Sequence, residues 1–196
     1  MKKLIFATHN QNKVTEINHL LKGIIEIQSL HEAGIIDEIP EPHETLEANA
    51  TEKSSYIYQL TKENCFSEDT GLEVEGLNGE PGVRSARYAG DECDNQKNIQ
   101  KLLTKLTNIS NRSAQFKTVI SLFLNGKEFQ FTGICNGKIA HEMKGTNGFG
   151  YDAVFIPEGS DKHFAEMTLE EKNKLSHRKK AISLLIAFLN NQHAEN

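Results

Sequence analysis

Short apolar runs and helix-spaced apolar residues alternate along the first third of the chain. Residues 4–7 are continuously apolar and end in polar residues, which predicts a short buried strand. Beyond it, Val14, Ile17 and Leu21 recur at helical spacing. The pattern predicts a helix capped by Asn10 and ended by Gly23, a strand over residues 24–30, an acidic loop over residues 31–44, and a long helix from Thr45 to about Asn64.

The rest of the chain favours a β-meander between helical segments. Residues 65–67 predict a short strand that stops at the polar turn Glu68-Asp69-Thr70-Gly71. Asn125-Gly126 is the strongest hairpin signal, between alternating runs over residues 116–124 and 128–132, and a second pair, Asn136-Gly137, follows. Further elements are a helix capped by Asp94, a strand over residues 153–156, a capping box of Thr168 and Glu171, and a closing helix carrying Ala181, Leu184, Leu185 and Phe188. This order predicts an α/β fold, with a mixed sheet surrounded by helices.

Composition makes one globular domain the expected organisation. The chain has 196 residues, of which 37% are hydrophobic and 25% charged. With the 14 glycines the apolar share comes close to that of ordinary globular proteins. This length is large for one domain and small for two, so we expect residues 1–196 to form a single domain of two lobes. With 22 Lys and Arg against 27 Asp and Glu, the net charge is −5. That balance argues against nucleic-acid binding, which needs a basic surface, but not against one small phosphate ligand.

Secretion, membrane insertion and a structural metal all lack support in the sequence. The first apolar run ends at Thr8 and is too short for a secretion signal. No apolar run approaches the roughly 20 residues of a membrane span. Cys65, Cys93 and Cys135 are odd in number and form no CxxC pair, which makes a zinc site or a disulfide framework a poor interpretation. Free thiols in a cytoplasmic protein are the expected state.

Two polar segments that follow predicted strands are candidates for phosphate and metal chemistry. Residues 8–13 form a strand-to-helix turn, where helix N–H groups bind phosphate readily and Lys13 adds a charge. Alone, this segment lacks the glycines of a P-loop and fits an ordinary capped helix better. The adjacent carboxylates of Glu68 and Asp69 fit Mg²⁺ ligation or a general base, and equally a polar turn that ends a strand.

Two later segments are candidates for recognition of a base or an anion. The glycines of residues 145–150 let the backbone approach a flat ligand, while Phe149 or Tyr151 stacks on it. The alternative is a flexible loop with its aromatic rings in the core. Residues 172–180 hold five cations and a histidine, which suits an anion site or, as is usual for charge runs, a solvated helix face.

Together these segments resemble the inosine triphosphate pyrophosphatase family. The resemblance rests on ATHNQNK near the start, SEDTGLEVEGLNGEPGVRSARYAG in the middle, GTNGFGYDAVF later and EKNKLSHRKKA near the end. The motifs stand in the family's order and spacing, from Lys3 to about Leu189. The resemblance implies hydrolysis of non-standard purine nucleoside triphosphates (ITP, dITP and XTP) to the monophosphate and pyrophosphate, with Mg²⁺. It also implies a homodimer and an elongated, twisted mixed sheet, flanked by helices, with two lobes around a central nucleotide-binding cleft.

The resemblance further implies roles for individual residues. Asp69 matches the family's catalytic acidic residue, which leaves open whether it acts as base, metal ligand or both. Glu41 is the best match for the upstream metal-binding glutamate, with Glu44 and Glu47 nearby, and Glu68 completes the implied metal ligands. The implied substrate contacts are Thr8, His9, Asn10, Gln11, Asn12 and Lys13 on the triphosphate, Thr70 beside Asp69, Phe149, Gly150, Tyr151 and Asp152 in base recognition, and Lys172, His177 and Arg178 near the C-terminus.

Two other functions stay open at the level of sequence. A Maf-like nucleotide pyrophosphatase has a related architecture, but the segments over residues 149–152 and 176–178 fit it poorly. A nucleotide-sensing module without catalysis would tolerate loss of carboxylates, yet Glu68 and Asp69 are both present. Release of pyrophosphate from ITP, dTTP and ATP distinguishes the three functions.

Overall fold

The computed structural model describes residues 3–194, with side chains as far as residue 192. Within this range the chain forms seven strands and five α-helices. In chain order they are β1 (Lys3–Phe6), α1 (Gln11–Leu21), β2 (Glu26–Ser29), α2 (Leu46–Thr61), β3 (Cys65–Val74), β4 (Pro81–Gly82), α3 (Asn95–Lys105), β5 (Ser113–Leu124), β6 (Lys127–Ile139), β7 (Phe155–Pro157), α4 (Leu169–Leu175) and α5 (His177–Ala194).

The strands form a mixed sheet. Hydrogen bonding orders them β2-β1-β3-β5-β6-β7, and β4 pairs with β3. β1 runs parallel to both β2 and β3. β4 and β7 run antiparallel to their partners, β3 and β6. The predicted α/β fold with a mixed sheet and surrounding helices is therefore confirmed.

Helix starts follow the predicted caps. The Asn10 side chain accepts hydrogen bonds from the first-turn N–H groups of α1, and Asp94 does the same for α3. Thr45 caps α2, and Thr168 and Glu171 form the predicted capping box of α4. These bonds satisfy N–H groups that have no partner within the helix, so each start is fixed by residues next to it in sequence. Among residues 3–194 no helix is both long and apolar enough to cross a membrane.

The chain divides into two compact units. The first comprises the residues up to Asp69, residues 119–132 and the chain from residue 181 onward. The second comprises residues 70–118 and 133–180.

In the first unit, apolar side chains alternate between two cores. Leu4 and Phe6 of β1 pack with the apolar residues of α1 and α5. Ile5 and the following Ala7 pack with Ile57 of α2 instead. Because successive side chains of a strand point to opposite faces, helices cover both faces of this part of the sheet, as is typical of parallel strands.

The second unit is built on one core cluster. Leu72 of β3, Phe116 of β5 and Phe155 of β7 belong to it, with the rings of Phe116 and Phe155 4.7 Å apart. The neighbouring Glu73 and Gln115 are instead joined by a side-chain hydrogen bond of 2.6 Å. Apolar and polar residues therefore alternate along these strands, as expected where one face of a sheet meets the core.

The predicted end of the third strand at Glu68 is wrong. β3 continues through Glu68, Asp69 and Thr70 to Val74. Both carboxylates are buried, and lysines from the same unit lie against them. A carboxylate with such partners does not need solvent, so it does not interrupt the strand.

The two Asn-Gly pairs have different roles. Asn125 and Gly126 form the predicted hairpin turn between β5 and β6, with φ of 51° and 81°. Asn136 and Gly137 instead lie inside β6, which runs past the predicted end at Thr132 to Ile139. A Cβ at Gly137 would overlap the carbonyl oxygen of Ile156 in the paired β7. This glycine therefore serves strand packing.

Smaller differences concern element ends. α2 ends at Thr61 because Lys62 adopts the left-handed conformation, with φ of 59°. The strand predicted over residues 153–156 is β7, Phe155–Pro157.

We expect one fast-reacting thiol in the folded protein. All three cysteines are free, Cys93 exposed and the other two buried. Burial raises the pKa of Cys65 to about 12 and that of Cys135 to about 11, so neither is a thiolate near neutral pH. Ellman's reagent at pH 8 should modify one thiol quickly, and none in Cys93→Ser. Fast modification of Cys65 or Cys135 before unfolding would contradict this assignment.

Candidate active site

The strand-to-helix turn over residues 8–13 is ordered by its own side chains. The Asn10 carboxamide oxygen accepts from the N–H groups of Asn12 and Lys13, at 3.0 and 3.2 Å. Thr8 Oγ1 accepts from Asn10 N at 3.2 Å, and His9 Nε2 lies 2.9 Å from the carbonyl oxygen of Asp37. The turn is therefore a preformed helix start in the first unit, whose positive dipole end favours an anion.

Lys13 connects this turn to β3. Its ammonium lies 3.4 Å from Glu68 Oε1 and 3.3 Å from the Glu68 carbonyl oxygen. The Glu68 side chain is fully buried. The sequence predicted both residues in the site, and the structure brings them together.

Lys53 of α2 joins two of the predicted metal ligands. Its ammonium donates to Asp69 Oδ1 at 2.7 Å and to Glu41 Oε1 at 2.8 Å. The side chains of Lys53 and Asp69 are 7% and 11% exposed, and that of Glu41 is 30% exposed. Glu41 and Asp69 therefore converge on one buried cationic group, although 28 positions separate them in the chain.

Burial and charge act in opposite directions on this group of residues. Burial raises the pKa of Asp69 above its ordinary value, and the opposing charges of Lys53 and Lys13 do not cancel the rise. For Lys53, burial alone would lower the pKa, but the charges of Asp69 and Glu41 outweigh it and the pKa is raised. Lys53 therefore stays protonated near neutral pH, and Asp69 is a stronger proton acceptor than an exposed aspartate.

The carboxylates of this group suit a hard cation such as Mg²⁺. Glu41 and Asp69 already bind one positive group, the ammonium of Lys53. Mg²⁺ is commonly held by one or two carboxylates together with substrate phosphates. In residues 3–194 no three His, Cys, Asp or Glu side chains are placed to hold a metal ion. The structure thus brings Glu41 and Asp69 together, while Glu68 lies against Lys13. The metal-binding role of Glu68 stays a prediction.

A second set of predicted residues lies in the second unit, around Asp152. Its Oδ2 accepts from Lys172 Nζ at 2.7 Å and from the N–H of Phe149 at 3.0 Å. The Lys172 side chain is 5% exposed, and its ammonium lies 5.4 Å from the centre of the Phe149 ring. Asp152 therefore fixes both the glycine-rich loop and the lysine of α4.

The glycine-rich loop makes backbone hydrogen bonds and close contacts within its own unit. The N–H groups of Thr146 and Asn147 both donate to the Ala165 carbonyl oxygen at 3.0 Å. A Cβ at Gly145 would overlap the backbone of Ala165, and one at Gly148 would overlap the Asp152 carboxylate. These two glycines allow the loop to pack on its own unit. Gly150, at φ 61°, has no atom within 4 Å of the position that a Cβ would take.

Tyr151 lies in the core, as the alternative interpretation of this loop predicted. Its ring is buried in the cluster of the second unit, and its hydroxyl donates to the Ser85 carbonyl oxygen at 2.8 Å. Phe149 is half-buried and lies beside two cations, so it is the better placed of the two rings to meet a base.

The basic run is divided between the core and the surface. Lys174 and Lys180 are exposed, whereas His177 and Arg178 at the start of α5 are buried, like Lys172. The His177 ring stacks on Phe116 with centres 4.6 Å apart, and the Arg178 guanidinium carbon lies 5.6 Å from the centre of the Phe149 ring. A solvated helix face therefore describes only part of the run.

Thr70 follows Asp69 in β3 and belongs to the second unit. Its hydroxyl lies 2.6 Å from that of Thr118 in β5. This bond fixes the Thr70 side chain on the sheet.

Comparison with known proteins identifies the family. The model of the Ham1 family matches residues 4–188. The chain belongs to the Ham1 family. It is 52% identical to a dITP/XTP pyrophosphatase of Flavobacterium johnsoniae over 187 residues, which cover 95% of this chain and 97% of the relative. The corresponding enzyme of Bacillus subtilis is 40% identical over 96% of this chain and 98% of the relative.

Solved structures of the family have the same fold. The Staphylococcus aureus Ham1 protein has a TM-score of 0.89 and 38% sequence identity, over 97% of this chain and 100% of the other. The resemblance found in the sequence motifs is therefore confirmed along nearly the whole chain.

Lys53 is the site residue of this Ham1-family chain that sequence reasoning missed. A signal was available, because Lys53 stands three positions after Ala50 and four before Ile57, so at helical spacing it shares a face with these two apolar residues. A lysine on a buried stripe needs a buried acidic partner, since an unpaired charge is costly to bury. The sequence does not indicate which acidic residues supply it.

Lys53→Met is expected to lower the free energy of unfolding by about 3 kcal/mol in EDTA, because Glu41 and Asp69 then face each other without a shared cation. Mg²⁺ should restore part of the loss by binding the folded state. Urea unfolding with EDTA and with Mg²⁺ measures both effects. As a control, Lys97→Met removes an exposed ion pair with Glu92 and should cost less than about 1 kcal/mol. A loss that Mg²⁺ leaves unchanged would show that a divalent cation does not replace the ammonium.

Proposed function

We propose that this chain hydrolyses non-standard purine nucleoside triphosphates, namely dITP, ITP and XTP, to the monophosphate and pyrophosphate. One observation carries the proposal: in a Ham1-family chain, the carboxylates of Glu41 and Asp69 both bind the buried ammonium of Lys53. The relatives at 40–52% identity that are named dITP/XTP pyrophosphatases support the substrate class. In the cell the reaction would clean the nucleotide pool.

In this proposal, the residues of the first unit bind the phosphates and move the proton. Lys13 and the start of α1 bind phosphate oxygens, because they combine a positive charge with a helix N-terminus. Asp69 takes a proton from the water that attacks the α-phosphorus, and the bond from the α-phosphorus to the bridging oxygen breaks. Pyrophosphate is the leaving group.

Mg²⁺ is the proposed cofactor, held by Glu41 and Asp69. When bound, it would neutralise negative charge that develops on the phosphates. Lys53 would then provide a second positive charge beside the same carboxylates.

The residues around Phe149 would recognise the base. Arg178 and Lys172 are buried cations beside the Phe149 ring, and both are hydrogen-bond donors. The 6-oxo group of hypoxanthine and xanthine is an acceptor, whereas the 6-amino group of adenine is a donor. Donors in the site therefore favour the 6-oxo group. They would face the 6-amino group of adenine without an acceptor, which excludes adenine nucleotides.

Pyrophosphate release tests the proposed function. The assay uses dITP, ITP, XTP, GTP, ATP and dTTP, with Mg²⁺ and with EDTA. We expect rapid release from the first three, little from the others and none in EDTA. Preference for dTTP would point to a Maf-like enzyme, and binding of dITP without pyrophosphate release would point to a sensing module.

We also propose that the protein is a cytoplasmic homodimer, as the family resemblance implies. Size-exclusion chromatography with light scattering should report twice the mass of one chain. A monomer at micromolar concentration would contradict the proposed assembly.

Lys13→Ala is expected to weaken the use of every triphosphate with little change in base preference, because Lys13 meets phosphate charge. We expect kcat/KM for dITP to fall about 10- to 100-fold, the effect of one charged hydrogen bond. The ratio of kcat/KM between ITP and GTP should stay within a few-fold of the wild-type ratio. Lys22→Ala, which removes the exposed lysine after α1, is the matched control. A large change in the ITP/GTP ratio with little loss for ITP would contradict the role.

A further inference from the structure

The loop that carries Glu41 is fastened to α2 by one side chain. Asn49, in the first turns of α2, is 3% exposed. Its amide donates to the His43 carbonyl oxygen at 3.0 Å, and its carboxamide oxygen accepts from the His43 N–H at 2.9 Å. The two bonds thus hold the backbone N–H and the carbonyl group of His43, two positions beyond Glu41.

One turn further along α2, Lys53 contacts the same loop. Asn49 and Lys53 are four positions apart and therefore lie on one face of the helix. Lys53 binds the Glu41 carboxylate, while Asn49 binds the backbone of His43. α2 thus fixes the Glu41 segment at its side chain and at its main chain.

The two contacts differ in their dependence on charge. The Lys53 contact weakens when another cation binds Glu41 and Asp69, because the positive charges repel each other. The Asn49 contact joins neutral groups and is unaffected by a cation. It can therefore keep the loop in place when another cation replaces the Lys53 ammonium at the Glu41 carboxylate.

We propose that Asn49 is a positioning residue that holds Glu41 beside Asp69 for a divalent cation, an inference that rests on the proposed function. Without the Asn49 bonds, residues 41–44 would gain backbone freedom that cation binding must remove again. Because fixing one backbone residue has an entropic cost, the freedom of a single residue weakens binding about tenfold.

Two pairs of variants separate this role from a general contribution to stability. Asn49→Ala removes both bonds. His43→Pro removes the N–H donor together with the imidazole, at an exposed position before α2. Its matched control, His43→Ala, keeps the N–H but removes the imidazole, which lies 3.4 Å from Glu52 Oε2. If Asn49→Ala does not fold, the two His43 variants still test the proposal.

The readout is Mn²⁺ affinity of the nucleotide-free protein, measured by electron paramagnetic resonance. The Mg²⁺ concentration for half-maximal kcat provides a second measurement. We expect Asn49→Ala and His43→Pro to weaken Mn²⁺ binding about tenfold, and His43→Ala to leave it unchanged. High Mg²⁺ should restore kcat, since the chemical groups remain present.

A double-mutant cycle with Glu41→Gln tests whether Asn49 acts through Glu41. We expect Glu41→Gln with Asn49→Ala to bind Mn²⁺ no more weakly than Glu41→Gln alone. Additive losses, or a lower melting temperature with unchanged Mn²⁺ affinity, would overturn the positioning role. Equal Mn²⁺ affinity of wild type and Glu41→Gln would instead contradict the metal role of Glu41 in the proposed function.

Discussion

Asp69→Asn is expected to lower kcat for dITP about 10³-fold or more. The variant removes the proposed proton acceptor, and general base catalysis alone accounts for roughly 10²–10⁴-fold. It also removes one of the two carboxylates that converge on the cation position, so both proposed contributions are lost together. Single-turnover measurement of pyrophosphate release at saturating Mg²⁺ gives the loss in the chemical step.

The same variant should stay folded. The pKa of Asp69 is raised by burial, so the charged form costs stability that the protein regains as the pH falls through that pKa. The neutral amide of asparagine avoids this cost and can still accept a hydrogen bond from Lys53. Because Glu41 still binds Lys53, we expect Asp69→Asn to remain folded at pH 7, with a far-UV circular dichroism spectrum equal to that of wild type. Asp91→Asn, in an exposed loop, is the control for loss of one carboxylate. Wild-type turnover by Asp69→Asn would exclude the proposed role.

Features fixed by neighbours in sequence could be predicted. Asn10, Thr45 and Asp94 cap their helices because the bonds they make reach only two or three residues ahead. The Asn125-Gly126 turn follows from the positive φ that both residues tolerate. Each of these depends on a local preference of the backbone.

Features that depend on distant partners could not be predicted. Glu68 and Asp69 stay within β3 because Lys13 and Lys53 lie against them, and those lysines precede them by 55 and 16 positions. The second Asn-Gly pair has the same local preference as the first, but β7 pairs across it. Local sequence is therefore an incomplete guide wherever burial is shared between separate segments.

The site residues show the same limit. The motifs identified Glu41 and Asp69 separately, but only the fold shows that α2 supplies a buried lysine between them. In the basic run, every third or fourth position of a helix shares a face, yet Ser176 separates α4 from α5 and changes which cations are buried. Lys172 and Arg178 consequently lie inside, and Lys174 and Lys180 outside.

Arg178→Ala is expected to lower kcat/KM for ITP and to narrow the preference for ITP over ATP. Arg178 is 2% exposed beside Phe149, so a bond from its guanidinium to the 6-oxo group would be made in a dry site. Loss of one charged hydrogen bond corresponds to about 10- to 100-fold in kcat/KM for ITP. ATP gains nothing from that donor, so its value should change less. A site built for a hydrogen bond discriminates on the order of 10⁴–10⁵-fold, and the variant should lose about one to two orders of magnitude of that ratio.

Two further variants make this test specific. Arg178→Lys keeps the positive charge but lacks the planar, forked donors of the guanidinium, so it should recover folding and only part of the ITP preference. Lys180→Ala removes an exposed cation of the same basic run, whose ammonium donates to the Ile134 carbonyl oxygen, and should leave the ITP/ATP ratio unchanged. Steady-state kinetics with both nucleotides measure the ratios, and circular dichroism reports folding. If Arg178→Ala folds and keeps both the ITP rate and the ITP/ATP ratio, Arg178 is a core cation of the second unit and base recognition belongs to other residues.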